Sequence, residues 1–557
     1  MRYILFLFVF LVVFSCKDPK SREAREPISK SETVETTAEE RSELDAISTK
    51  DFTDFKVLDS KNLSKADIWA DINPQMENFT EADYNRLKKW ILERDITELQ
   101  VRRTANKFTY EELVKFYLYR IRKFDRENTL SLNSVIAINP TVIEAAKELD
   151  IDFENGTRLH PIMGMPILLK DNINASGMAT TAGAVALRDN VTDDAFIVEQ
   201  LKTKGALILG KANLSEWAYF FCGECPSGYS AIGGQTLNPY GRRIIDTGGS
   251  SSGSGVSASA NFAAATIGSE TAGSILSPAS QNSVVGLKPT IGLVSRSGIV
   301  PISSTLDTAG PITRTVTDNA IVLDAIYGED KSDSKSIYAL WESGFYTKGL
   351  KNASLKGKRF GAPKRLLEDT LYVKALDVLK QQGAEIVEIE EEQLGLPNFI
   401  NLLNLDMKKD LPAYMDAHAN KNITIRTVAD IIEFNLKDSI KTMPYGQSLF
   451  KGIVADKGNA NYLMRIKDTL SRNGKQYFDV PMREHNLDGF LSINNYHAAF
   501  AAVAEYPAIT VPMGYTDKGV PKGLTFIAKR LQEKQLLEWA YVYEQASKAR
   551  VSPKDYD

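Results

Sequence analysis

Hydrophobic positions recur along the chain with two periods, and their alternation outlines the fold. From Asn73-Pro74 the helical period leads. One segment opens at Phe79-Thr80-Glu81-Ala82-Asp83, with Thr80 placed as its cap and Leu87, Trp90 and Ile91 on one face. A second helix is predicted from Thr109, which has the capping-box spacing to Glu112 ahead of Leu113, Phe116, Tyr117, Tyr119 and Ile121. Val135-Ile136-Ala137-Ile138 then reads as strand, Asn139-Pro140 breaks it, and residues 141–149 return to helix. Apolar runs at 166–169, 206–209, 284–287, 508–511 and 524–527 predict further strands. Helices are predicted at 318–327 and 531–548, and another at 214–220, where Asn213 and Glu216 resemble a capping box. Strand alternating with helix predicts α/β architecture.

The two ends of this pattern differ from its middle. Arg2 precedes an unbroken apolar run, residues 3–14, followed by Ser15 and Cys16. That is the layout of a secretory signal peptide, too short to span a bilayer. Val13-Phe14-Ser15-Cys16 resembles the lipobox of bacterial lipoproteins, so residues 1–15 are expected to be removed and Cys16 lipidated, placing the protein at the bacterial cell envelope, facing periplasm or surface. A plain signal peptide with an incidental Cys16 is the alternative. Residues 17–60, rich in Lys, Glu, Ser and Thr, read as a solvated tether. The catalytic body is expected over 61–550, with its core at about 160–320 and a more variable insert at about 329–490.

Composition narrows the classes of function. The 557 residues are 43% hydrophobic and 25% charged, with a net charge of −4, so nothing favours a nucleic-acid partner. Cys222 and Cys225 form a lone CxxC without a second pair or nearby His, a weak metal signal. A small loop disulfide or two free thiols are the readings left. No metal or cofactor is expected.

Candidate chemistry concentrates at residues 248–276, GGSSSGSGVSASANFAAATIGSETAGSIL. Gly lets backbone N–H groups converge on one point, and serines there are candidate nucleophiles. A flexible linker has similar composition, but the apolar interruption at 262–267 argues against it. Upstream, Pro166-Ile167-Leu168-Leu169 delivers Lys170 into apolar surroundings, followed by Asp171 and Asn172. On position alone, a lysine at a strand end ordinarily turns to solvent; buried, it would have a shifted pKa.

GMPILLKDNI (164–173), GKANLSEWA (210–218), GGQTLNPY (233–240), GGSSSGSG (248–255), GSETAGSI (268–275), DTAGPITRTVTD (307–318) and YPAITVPMGY (506–515), in this order, resemble the amidase signature family over residues 70–550. The resemblance implies a large central mixed twisted sheet covered by helices on both faces. It also implies a Ser–cis-Ser–Lys triad, with Ser274 as nucleophile, Ser250 as the cis bridging serine and Lys170 as base. Backbone N–H groups at Thr271, Ala272, Gly273 and Ser274 are expected to meet the oxyanion, with Ser251 as an extra donor holding the network. Such an enzyme cleaves the C–N bond of a small or peptide amide through an acyl-enzyme.

The family pattern is not kept everywhere. Ala272 stands where many members have Gly, and Glu270 replaces a commoner Asp. Leu276 stands where glutamyl-tRNA amidotransferase subunits carry an Arg that would bind a substrate carboxylate, which argues against tRNA-linked amidation, and the Glu-Thr-x-Gly-Ser-Ile form with LSEWA and GGQTLNPY resembles the peptide-amidase branch. Glu505 occupies a usual Gly. Two rivals follow: Gly249-Ser250-Ser251-Ser252-Gly253 also matches GxSxG, making Ser251 the nucleophile of an α/β-hydrolase with a downstream His such as His497, and a lipoprotein could keep the fold as a binding module.

Overall fold

The computed structural model describes residues 59–126, 130–339 and 341–556. The expected signal segment, Cys16 and nearly all of the tether lie outside the described residues. Among the described residues thirteen strands form: β1 (Val135–Ile138), β2 (Pro166–Lys170), β3 (Leu207–Ala212), β4 (Tyr229–Ser230), β5 (Gly234–Gln235), β6 (Ala265–Glu270), β7 (Val285–Lys288), β8 (Thr308–Thr313), β9 (Arg359–Pro363), β10 (Glu385–Ile389), β11 (Gly489–Ile493), β12 (Ala508–Tyr515) and β13 (Pro521–Ile527). Eleven of them make one sheet in the order β1-β3-β2-β6-β8-β7-β12-β13-β11-β9-β10, and β4 pairs only with β5. The sheet is mixed. Its β3-β2-β6 and β11-β9-β10 sections run parallel and the strands between them antiparallel.

Burial explains the strand sequences. β2, β3, β6, β7 and β8 are buried along their whole length, as strands covered on both faces must be. The apolar runs of β2 and β3 follow from that. The expected caps form as well, with Thr80 paired to Asp83 and Thr109 to Glu112 in capping boxes. Among the described residues no helix is long and apolar enough to cross a membrane.

Two local outcomes are not given by the hydrophobic pattern. The Gly/Ser run contains a helix, Ser252–Ser259, every residue of which is buried. Poor helix formers are used there because the helix packs too closely for side chains: a Cβ on Gly253 would sit 2.4 Å from the Asn213 carbonyl oxygen. The second difference is at 214–220, where no α-helix forms. Asn213 is occupied instead by the neighbouring loop, donating to Gly234 O at 3.0 Å and Thr236 Oγ1 at 2.9 Å while accepting from Ser230 Oγ at 2.7 Å. Glu216 accepts from Ala231 N at 2.9 Å, and Trp217, Ala218 and Tyr219 turn left-handed with φ of 52°, 54° and 77°. Side-chain bonds to distant backbone outcompeted the local cap.

Residues 329–490 include helices Phe399–Ala417, Val428–Leu436, Ser448–Ala455 and Ala460–Glu484. Cys222 and Cys225 are joined as a disulfide in a loop against the third of these, where Ser448 Oγ donates to Cys222 O at 2.5 Å.

Candidate active site

β2 and β6 are parallel neighbours, with Leu169 opposite Ile267, so their carboxyl ends open on the same edge of the sheet. Crevices outside such ends are where open α/β sheets bind ligands. β2 ends in Lys170 and β6 in Ser269-Glu270. Lys170 is completely buried, so the solvent-facing reading of its position does not hold. Its Nζ lies 2.7 Å from Ser250 Oγ, 3.0 Å from Ser269 O and 2.9 Å from Ser269 Oγ. Burial pushes the Lys170 amine down to about 7, against a smaller upward pull from Asp307 and Glu270. Asn172 Nδ2 also donates to Ser269 Oγ, at 2.9 Å, fixing that hydroxyl from a second side.

Ser250 is likewise fully buried, and the Gly249–Ser250 peptide is cis. Its carbonyl accepts from Ser215 N at 3.0 Å. The next residue, Ser251, bridges the Ser269 backbone and the Ser274 loop. Its Oγ donates to Ser269 O at 3.0 Å and accepts from Ser269 N at 3.2 Å, while its own N–H donates to Ser274 O at 3.2 Å. Ser274 is only half-buried, the single member of the expected triad with access to solvent.

The loop carrying Ser274 is clamped at both ends. One oxygen of Glu270, Oε2, accepts from Ile275 N at 2.7 Å and Leu276 N at 3.0 Å. Thr271 Oγ1 donates to Asp307 Oδ1 at 2.6 Å, and Asp307 Oδ2 takes Ile302 N and Ser303 N, each at 2.8 Å. Burial lifts Asp307 to about 6 despite these bonds. Among the described residues, the N–H groups of Thr271, Ala272, Gly273 and Ser274 donate to no other protein group. Four unpaired donors in a row, held between two carboxylates, form a concavity suited to a developing negative charge. A cavity of about 10 Å³, the size of one water, is bounded by Asn172, Ser269, Thr271 and Asp307.

A family model described as Amidase matches residues 112–537. The chain belongs to the amidase signature family. The amidase is 38% identical over 488 residues to a protein of Arabidopsis thaliana named as a probable amidase, covering 83% of this chain and 92% of that one. Among solved structures, it matches an amidase family protein from Bacillus anthracis with a TM-score of 0.85 and 37% identity, over 88% of this chain and 98% of that chain. It also matches the peptide amidase from Stenotrophomonas maltophilia with a TM-score of 0.79 and 40% identity, over 83% and 98%. These likenesses agree with the peptide-amidase side of the family.

The amidase brings Lys170 and Ser250 into direct contact, whereas Ser274 is tied to this network by its carbonyl, which accepts from Ser251 N, and among the described residues its hydroxyl makes no hydrogen bond to Ser250. It does not present Ser251 as a hydrolase elbow. Ser251 is fully buried with both bonding directions spent on Ser269, and the residues before it, Arg242 to Asp246, form no strand. His497 belongs to another cluster, with Ser492 Oγ at 2.6 Å and Glu391 Oε1 at 2.7 Å. Sequence reasoning passed over Ser269 and Asn172 as site residues. Their position inside the matched segments was the available signal; which atom they serve depends on the β2–β6 register.

Proposed function

We propose that the amidase hydrolyses a peptide or small carboxamide through an acyl-enzyme on Ser274, with Ser250 as proton bridge and Lys170 as base. The observation that carries this reading is the set of three contacts at Lys170 Nζ. A neutral amine has two N–H groups and one lone pair. Ser269 O and Ser269 Oγ use the two N–H groups, which leaves the lone pair directed at Ser250 Oγ. Lys170 then withdraws the Ser250 proton as Ser250 withdraws that of Ser274, and Ser274 Oγ attacks the amide carbon. The carbonyl oxygen becomes an oxyanion beside the 271–274 N–H groups, each typically worth about 3 kcal/mol.

Collapse of the tetrahedral intermediate breaks the C–N bond. The proton held on Lys170 returns through Ser250 to the leaving nitrogen, and ammonia or an amine departs. Water, deprotonated along the same path, attacks the acyl carbon and frees Ser274. No metal or cofactor enters the scheme. The Stenotrophomonas neighbour's name, peptide amidase, supports a peptide amide as substrate.

Ammonia release from peptide C-terminal amides, acyl amino-acid amides and aliphatic amides tests the proposal. Activity should vanish in Ser274→Ala and, near neutral pH, in Lys170→Ala, and should persist in Ala272→Gly. Absence of release from every amide would leave the fold as a binding module. We also propose that the full chain is exported and anchored to the envelope through lipid on Cys16; a Cys16→Ser chain should then lose palmitate incorporation, and unchanged incorporation would refute the anchor.

A further inference from the structure

A second, larger cavity, about 350 Å³, lies against the insert helices. Its floor is apolar and buried: Leu306, Leu402, Leu470 and Val503. Its rim carries charge, notably Lys335 and Glu505. A cleft of this volume has the size of a small-ligand site, and here an apolar floor lies under a predominantly polar wall that includes Lys467 and Asp468. Leu402 comes from helix Phe399–Ala417 and Leu470 from helix Ala460–Glu484, so these two helices supply half of the floor.

Two tethers connect this cavity with the Ser274 loop. Helix Ala498–Val503 starts at the loop, its Ala498 Cβ 3.5 Å from where a Cβ on Gly273 would sit, and ends at the cavity with Val503. Five helical steps span about 7.5 Å. The other tether is Leu306, which immediately precedes Asp307, the acceptor of Thr271 Oγ1. The rise of that helix, about 7.5 Å, is close to the length of two residues of extended peptide at about 3.3–3.6 Å each.

Glu505 supports a role for this rim. It holds a left-handed φ of 60°, where a glycine would be relaxed, yet it carries a carboxylate that accepts from Lys335 Nζ at 2.5 Å. Lys335 also donates to Thr305 O at 3.3 Å, so the ion pair frames the opening beside Leu306. The same carboxylate also lies 3.5 Å from Arg530 Nε, so this strained position carries an ion pair to two cations at the rim.

We propose that this cavity is a substrate subsite that receives an apolar side chain about two residues upstream of the carboxamide that is cleaved. It rests on the amide-hydrolysis reading above and adds to it the substrate class: peptide amides of three or more residues with a large apolar residue at that position. The floor covers the side chain, and the charged rim meets the peptide backbone that bears it.

The test compares acetyl-Phe-Gly-Ala-amide, acetyl-Gly-Gly-Ala-amide and acetyl-Ala-amide on the parent, on Ser471→Trp and on Glu505→Gly. Ser471 borders the cavity, so a Trp there fills it. The parent should favour the Phe peptide over the Gly peptide by about tenfold or more in kcat/KM. Ser471→Trp should reduce that preference below about twofold while keeping acetyl-Ala-amide turnover, and Glu505→Gly should reduce it by about threefold. Equal rates on the two tripeptides in the parent, or a preference untouched by Ser471→Trp, would overturn the subsite. Calorimetry on Ser274→Ala, with and without Ser471→Trp, reads the same preference as affinity without turnover. Should the parent cleave none of these amides, the hydrolase reading falls, and the calorimetric preference alone decides the subsite: kept, it stands; absent, it is overturned.

Discussion

Ser269 takes two hydrogen bonds from Lys170, one on its carbonyl at 3.0 Å and one on its hydroxyl at 2.9 Å. The pair therefore orients the amine as well as burying it. Ser269→Ala removes one of these acceptors and frees the amine to rotate. We expect kcat to fall about 10- to 100-fold with KM nearly unchanged, the pattern of a lost transition-state interaction. Steady-state kinetics check this; a change in KM alone would contradict it.

The pH dependence of activity should follow the Lys170 amine. Burial holds it at about 7, and only the neutral form accepts a proton. kcat/KM should therefore rise with pH through an acid limb centred near 7. Asp307 and Glu270 pull that value upward, so Asp307→Asn should move the limb to lower pH while also lowering kcat through the loss of its hold on Thr271. A limb that stays in place or moves to higher pH would contradict the assignment.

Stability should carry the same signature with the opposite benefit. In the unfolded chain Lys170 titrates at its ordinary value of 10.5, and in the folded chain at about 7. Between these values the unfolded state binds the extra proton, so this residue's destabilising effect is full below pH 7 and fades as pH rises toward 10.5. Lys170→Met should raise Tm relative to the parent, by more at about pH 6.5 than at about pH 9.5. Thermal melts at the two values decide it.

Glu270 is expected to act through geometry. Because a single carboxylate oxygen takes both the Ile275 and Leu276 N–H groups, the carbonyl of a glutamine could replace it. Glu270→Gln should keep most of the activity. Glu270→Ala should lose about 100-fold in kcat/KM by releasing the Ser274 loop, since misplacement by about 1 Å costs that much. Equal losses in both variants would point to its charge instead.

Much of this arrangement is legible in the sequence because it lies in contiguous motifs. Lys170, Ser250 and Ser274 each sit in a segment whose order along the chain marks the family, and the strand predicted at 166–169 places Lys170 at a strand end, whereas the strand before Ser274, β6, is not among those predicted. Ser269 and Asn172 are harder to read, since a parallel β2–β6 register, a long-range fact, decides that they meet Lys170. Residues 214–220 were misread for a related reason: Asn213 has the spacing of a cap, but its amide is used by Gly234 and Thr236 across the loop. Glu505 looked unexplained until the fold set it beside Lys335, 170 residues away.

The most direct test of the central claim is to locate the covalent adduct of a fluorophosphonate by fragmentation mass spectrometry and to follow its rate against pH. The account requires one adduct, on Ser274, forming faster as pH rises through about 7 and not forming in Lys170→Ala near neutrality. An adduct on Ser250 or Ser251, or labelling of Ser274 that proceeds unchanged without Lys170, would contradict it.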